Sequence, residues 1–328
     1  MLFKWTLKNL QQFYWYKVLM KYEFLKSYMD KILVTGYNGF IGHNLVDRLI
    51  TKYKIIGVSN NKTAKQKIFQ VKKDVRKINS DDIPNDVFCI VHLAAITDLK
   101  YCQNNPSECF DVNVKGTQNM LEIARKKNSK FIYLSTSHVY GRPLHLPMRE
   151  DHPRNPNSIY ASSKMAGEVI CESYAKSYGL DLSILRLFSV YGPNSPSHLV
   201  TSKIINQLLN KKIVSLGNLY PKRDFVYVQD VMDAILLVIR RSMGFNIYNV
   251  GTGKSHSILE LCKILREISG RNTQIQSIKS QSRKNEIGNV ISNSSRIKRL
   301  GWRPKTSIHQ GLEITFEWFL NPGKPLYF

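Results

Sequence analysis

The chain has 328 residues but no apolar run of about eighteen, the length a helix needs to span a bilayer. It has no Cys-x-x-Cys pair. Its five cysteines (Cys89, Cys102, Cys109, Cys171, Cys262) are odd in number and widely spread. That argues against a disulfide frame or a zinc site and predicts reduced thiols in a cytoplasmic protein. There is no internal repeat and no low-complexity linker. Acid is scarce: 24 Asp and Glu stand against 48 Lys and Arg, a formal net charge of +24. Such an excess attracts nucleic acid, an anionic membrane surface or an anionic small molecule. The basic residues form no single dense block, so no specific nucleic-acid partner is expected. A diphosphate-bearing substrate would be drawn by the same field.

Residues 1–28 differ from the rest of the chain. They carry Phe3, Trp5, Phe13, Tyr14, Trp15, Tyr16, Tyr22, Phe24 and Tyr28, with lysines interrupting every apolar stretch. No continuous secretory core is present. An interfacial helix or a partner-binding arm is one reading. The favoured one is a start-site artefact, because Met29-Asp30-Lys31-Ile32-Leu33-Val34 reads like a natural beginning.

From residue 31 strand and helix patterns alternate. Short apolar runs at Lys31–Thr35, Lys54–Val58, Val87–Val91, Phe131–Leu134 and Leu182–Leu187 predict buried strands. Between them, Ile41, Leu45 and Leu49 fall at four-residue spacing, and Ser107–Lys127 and Ser158–Tyr178 read as helices. This rhythm predicts an α/β fold, a Rossmann-type doubly wound parallel sheet over 29–190, with later segments returning to it. After about 190 the rhythm loosens around Pro193, Pro196 and Pro221. A smaller C-terminal substrate-binding lobe is expected over 191–328, with helices at 230–241, 257–268 and 308–320.

The first strand runs into Thr35-Gly36-Tyr37-Asn38-Gly39-Phe40-Ile41-Gly42. Gly36 allows a tight turn, Gly39 lets backbone approach a pyrophosphate, and Gly42 lets the helix pack close to the sheet. The helix start, with Phe40 and Ile41, offers free N–H groups and a positive dipole end to phosphates. A second pattern is Tyr160-Ala161-Ser162-Ser163-Lys164 in the long helix. Four-residue spacing puts phenol and ammonium on one face. The ammonium favours the phenolate and would draw the tyrosine from ~10 toward a working acid–base range.

The glycine spacing resembles the Gly-x-x-Gly-x-x-Gly turn of the short-chain dehydrogenase/reductase family. Further matches come in chain order. Asp74-Val75 resembles the dipeptide that contacts adenine, Leu93-Ala94-Ala95 the loop under the cofactor, and Asn113-Val114-Lys115-Gly116-Thr117 the segment with a structural asparagine. Ser135-Thr136-Ser137-His138-Val139-Tyr140-Gly141 resembles the hydroxyl-bearing segment, and counting back from Val-Tyr-Gly gives Thr136 the catalytic hydroxyl. Lys164 would also hold the nicotinamide ribose. The cofactor implied is NAD or NADP. Where NAD users carry an acid at the end of the second strand, this chain has Ser59, with Asn60, Lys62 and Lys65 nearby, so both cofactors stay open.

The later motifs resemble the substrate lobe of the extended, nucleotide-sugar branch of that family. They are Arg186-Leu187-Phe188-Ser189-Val190-Tyr191-Gly192-Pro193, Arg223-Asp224-Phe225-Val226-Tyr227-Val228, Asn249-Val250-Gly251-Thr252-Gly253 and Gly301-Trp302-Arg303-Pro304. The resemblance gives Arg223 and Arg283 to the nucleotide diphosphate. It gives Ser189, where the family usually has asparagine, and His198 to the substrate. It also implies a homodimer. Dehydratases of the family place an acidic pair after the catalytic threonine, where this chain has Ser137 and His138. The implied reaction is hydride transfer at C4 of a nucleotide-diphosphate sugar. A UDP-hexose 4-epimerase stands first and an NADPH-dependent 4-ketoreductase second. A non-catalytic NAD(P)- or RNA-binding protein is a different class, one expected to lack the Tyr–Lys pair.

Overall fold

The computed structural model describes residues 30–61, 68–281 and 286–322; the segment 1–28, Lys62, Lys65 and Arg283 lie outside them. Seven strands of four to seven residues form one sheet: β1 (Lys31–Thr35), β2 (Lys54–Ser59), β3 (Phe69–Lys72), β4 (Val87–His92), β5 (Lys130–Thr136), β6 (Leu182–Leu187) and β7 (Phe245–Val250). Their order is β7-β6-β5-β4-β1-β2-β3, every pairing parallel. The seventh strand comes from beyond residue 191, so the C-terminal half contributes to the main sheet.

Alternate residues of each strand face opposite sides, and both sides are apolar because both are covered. On one face Ile32, Val34 and Val91 pack with Leu45 and Leu49 of the Phe40–Leu49 helix and Val231 and Ile235 of the Val228–Arg241 helix. On the other, Leu33, Ile56 and Ile90 pack with Met120, Leu121, Cys171 and Ala175. These come from the Gly116–Lys127 and Ile159–Tyr178 helices. The latter begins where the Ser158 side chain accepts from Ala161 N–H and ends at Gly179, whose φ of 65° stops it.

One expected helix is broken. Ser107–Lys127 is instead a short helix, Pro106–Phe110, a wide turn at Asp111–Lys115 and a second helix from Gly116. The widened turn buries Asn113, whose amide bridges the loop after β4 and the Ile159–Tyr178 helix. The Val200–Asn210 helix goes unanticipated, because Thr201 and Ser202 blur its apolar stripe of Ile204, Ile205 and Leu208.

The loop-rich C-terminal part is fastened by two buried acids. The Asp224 carboxylate accepts from the N–H and hydroxyl of Thr252, from Gly253 N–H, and from the N–H and hydroxyl of Ser292. Asp230 accepts from the N–H groups of Lys305 and Thr306, while its carbonyl takes the Trp302 indole N–H at 2.8 Å. The Asn-Val-Gly-Thr-Gly and Gly-Trp-Arg-Pro motifs thus hold the lobe together. Among the described residues no helix is long and apolar enough to cross a membrane.

Candidate active site

A cleft of about 1030 Å³ runs along the carboxyl ends of the strands. The glycine turn forms its floor. Gly36 has φ +64°, and a methyl group there would press on Ala94 backbone atoms at 3.0 Å. At Gly42 a methyl would strike the Gly36 carbonyl and lie 2.6 Å from Tyr37 Cα, so only glycine lets the helix sit on the turn. Beyond Gly39 the space is open: the nearest atom a methyl would meet there is the Gly36 carbonyl oxygen, at 3.3 Å. No side chain caps the Phe40–Leu49 helix, leaving the first-turn N–H groups at Phe40, Ile41 and Gly42 directed at the cleft without a side-chain acceptor. The turn fits a dinucleotide pyrophosphate.

At the end of β2, Ser59 donates to the Asn38 side-chain oxygen at 3.0 Å and accepts from Asn61 N–H at 3.3 Å. Among the described residues, Lys73 and Arg76 border this end, and both are engaged. Lys73 pairs with Asp82 at 2.7 Å, and Arg76 clamps Asp74 with contacts of 2.6 to 3.0 Å. The Arg76 guanidinium holds the Asp74 carboxyl below the usual range. Asp74 and the buried Val75 line the cleft, as does Arg76, which the sequence reading does not name.

The loop Leu93-Ala94-Ala95 is held from beneath. Thr35 Oγ1 accepts from the N–H groups of Leu93 and Ala94, both at 3.0 Å, and contacts His92 Nδ1 at 2.8 Å. His92 Nε2 lies 3.1 Å from Thr117 Oγ1, whose proton goes to the Asn113 carbonyl. His92 therefore carries its proton on Nε2 and accepts from Thr35. Burial, first, and the Lys164 charge push its pKa to about 3, so it is neutral. The Asn113 amide pairs with both backbone groups of Ile96 and donates to Ser163 at 2.9 Å. Ser163 in turn donates to the Tyr160 carbonyl. One chain of hydrogen bonds joins Thr35 before the glycine turn, the Leu93-Ala94-Ala95 loop and the Tyr160 helix.

On the opposite wall, Thr136, Tyr160 and Lys164 converge. The Thr136 hydroxyl accepts from His138 N–H at 3.2 Å and lines this wall with Tyr160. The sequence expectation that Lys164 lowers Tyr160 is not met: burial raises the phenol to about 12, and the Thr136 hydroxyl, not Lys164, opposes it. The Lys164 ammonium lies instead 4.0 Å above the centre of the Tyr133 ring, and burial lowers it to about 8. Tyr133 has no place in the sequence reading. Its one signal is Gly167, where a methyl group would collide with the Tyr133 hydroxyl.

Ser189, His198 and Arg223 line the same cleft from the C-terminal side. Arg223 is anchored by bonds to the carbonyls of Lys222 and Ile287 at 2.8 and 2.7 Å, with Glu286 at 3.9 Å. His198 faces Asp98, 3.9 Å away across the cleft. Arg283 falls outside the described residues. His138 stands edge-on to Tyr160, ring centres 6.1 Å apart.

Comparison with known proteins agrees with this geometry. Residues 32–251 match the model of the NAD dependent epimerase/dehydratase family. The chain belongs to that family. As a member it is an NAD-dependent enzyme of the nucleotide-sugar epimerase/dehydratase class. A putative UDP-glucose 4-epimerase of Methanocaldococcus jannaschii is 35% identical over 89% of this chain and 99% of its own length. A dTDP-D-glucose 4,6-dehydratase of Bos taurus is 31% identical over 89% of each. Among solved structures, the Bacillus cereus UDP-glucuronic acid 4-epimerase in complex with UDP-glucuronic acid and NAD superposes with a TM-score of 0.82 at 26% identity. It covers 88% of this chain and 99% of its own. Epimerases and dehydratases share this frame, so the choice between them falls to side chains.

Proposed function

We propose that this family member is a UDP-hexose 4-epimerase that keeps NAD bound through the cycle. The observation that carries the reading is the convergence of Thr136, Tyr160 and Lys164 in the wall of a cleft whose floor is the glycine turn. When bound, the nicotinamide supplies a hydride acceptor and a positive charge. Thr136 orients the sugar C4 hydroxyl against Tyr160. Tyr160 takes the hydroxyl proton as C4 is oxidised and gives it back after the keto sugar has turned over. Lys164 holds the nicotinamide ribose. Gly36, Gly39, Phe40, Ile41 and Gly42 hold the pyrophosphate, and Asp74, Val75, Leu93, Ala94 and Ala95 hold the rest of the dinucleotide. Arg223, with Arg283, takes the substrate diphosphate, and Ser189 and His198 line the sugar side. The substrate lobe is assigned to 191–328 apart from β7.

Dehydration at C4 and C6 is disfavoured because Ser137 and His138 follow Thr136 in place of two acids. NAD is preferred over NADP because Ser59 is engaged by neutral neighbours, and Lys73 and Arg76 are each held by a carboxylate. The missing acid at Ser59 favours one second reading, an NADPH-dependent 4-ketoreductase. Denaturing the purified protein and identifying the released nucleotide separates them. Retained NAD with interconversion of UDP-glucose and UDP-galactose supports the epimerase. An empty site with NADPH affinity and no interconversion overturns it.

A further inference from the structure

The Lys164 ammonium is buried, and no carboxylate pairs with it among the described residues. Glu168, one turn along the same helix, is committed elsewhere. Arg186 holds its two oxygens at 2.9 and 2.7 Å, Ser135 donates to it at 2.5 Å, and Arg154 stands at 3.4 Å. What faces the ammonium is the Tyr133 ring, 4.0 Å from nitrogen to ring centre. The ring is wedged in place. Its hydroxyl donates to the Lys164 carbonyl at 3.3 Å, and His92 stacks at 6.1 Å with planes 24° apart. Gly167 clears the space for the phenol; a methyl group there would lie 2.7 Å from Tyr133 Cζ. An aromatic face attracts a cation most strongly where water is excluded.

We infer that Tyr133 is a positioning residue: its ring face holds the Lys164 ammonium in place in the cleft wall that Tyr160 also lines, as a carboxylate would elsewhere. The inference rests on the roles proposed for Tyr160 and Lys164. The other groups that act on the ammonium are Glu168 and Cys171 from its own helix, Cys109 from the Pro106–Phe110 helix and neutral His92 from β4. Cys171 is held protonated by burial. The ring is therefore the contact that favours the charged lysine at short range. Removing it releases the lysine proton at lower pH.

The experiment compares Tyr133→Phe, Tyr133→Leu and a series of fluorinated phenylalanines at position 133. Fluorine keeps the ring's shape while draining its negative face, so the series tests the idea without a cavity. The readout is the pH profile of bound-nicotinamide reduction by UDP-glucose, with NAD content measured for each variant. Tyr133→Phe should keep the wild-type alkaline limb. In Tyr133→Leu the limb should move down by about one pH unit, a tenfold loss on that side. The fluorinated rings should grade between them, with KM for UDP-glucose unchanged. An unmoved limb across the fluorinated series, or an equal loss in Tyr133→Phe and Tyr133→Leu, would overturn the role of the ring. Tyr160→Phe is the control: activity in that variant defeats the underlying reading, whereas an inactive Tyr160→Phe with an unmoved limb defeats only this inference.

Discussion

Burial presses Tyr160 and Lys164 toward their neutral forms from opposite directions: the phenol rises to about 12 and the ammonium falls to about 8. Catalysis as proposed needs the reverse, a phenolate beside a charged lysine. With the charge of a bound nicotinamide drawing the phenol back down, turnover should fall as Lys164 loses its proton near about 8. A profile of kcat between mildly acidic and alkaline pH reads this. A flat alkaline side would remove Lys164 from the mechanism.

The same burial costs stability. Lys164 binds its proton less tightly in the folded chain (about 8) than in the unfolded one (10.5). Below about pH 8 both states hold the proton and the full penalty applies. Between about 8 and 10.5 the unfolded state binds more protons, so stability rises with pH. The shift corresponds to roughly 3 kcal/mol. Lys164→Met should abolish turnover yet melt higher than the parent at neutral pH. A lower melting temperature would contradict this account.

Tyr160→Phe should abolish turnover while leaving NAD affinity within about a few-fold, because the phenol oxygen is proposed to serve the substrate and not the pyrophosphate. Thr136→Val removes the hydroxyl that opposes burial in setting the phenol's proton affinity and that is proposed to orient the sugar. A fall in kcat of about 10- to 100-fold is expected, the worth of a hydrogen bond to a charged group. Circular dichroism would confirm that both variants fold.

Gly42→Ala tests the phosphate turn. Its methyl group meets backbone of Gly36 and Tyr37, which has no rotamer to yield. NAD affinity measured by calorimetry should drop by about tenfold or more as the helix start is displaced from the pyrophosphate. By contrast Ser59→Ala, whose hydrogen bonds among the described residues go to neutral neighbours, should change it by about a few-fold.

Glu168→Ala would strand the Arg186 guanidinium, which is buried and donates to both Glu168 oxygens, to Tyr140 and to the Glu150 carbonyl. Breaking one side of such a pair costs about 3–5 kcal/mol. A large fall in the denaturation midpoint is expected, with loss of NAD retention because Ser135 also anchors β5 through Glu168. An unchanged midpoint would mean that solvent reaches Arg186.

The sequence by itself determined five of the sheet's seven strands, the glycine turn and the order of Thr136, Tyr160 and Lys164. Those signals are local. Apolar runs mark strands, three glycines meet the steric demands of one turn, and a four-residue step fixes two side chains on one helix face. Tertiary structure alone decided what each group meets. The strand β5 brings Tyr133 from 31 positions away to lie under Lys164, so the ammonium rests on a ring and not against the phenol. Arg76 closes on Asp74, His198 comes to face Asp98, and the later motifs prove to be fastenings around Asp224 and Asp230. Proton affinities depend on that packing, because desolvation draws on every neighbour at once and no spacing along the chain records it.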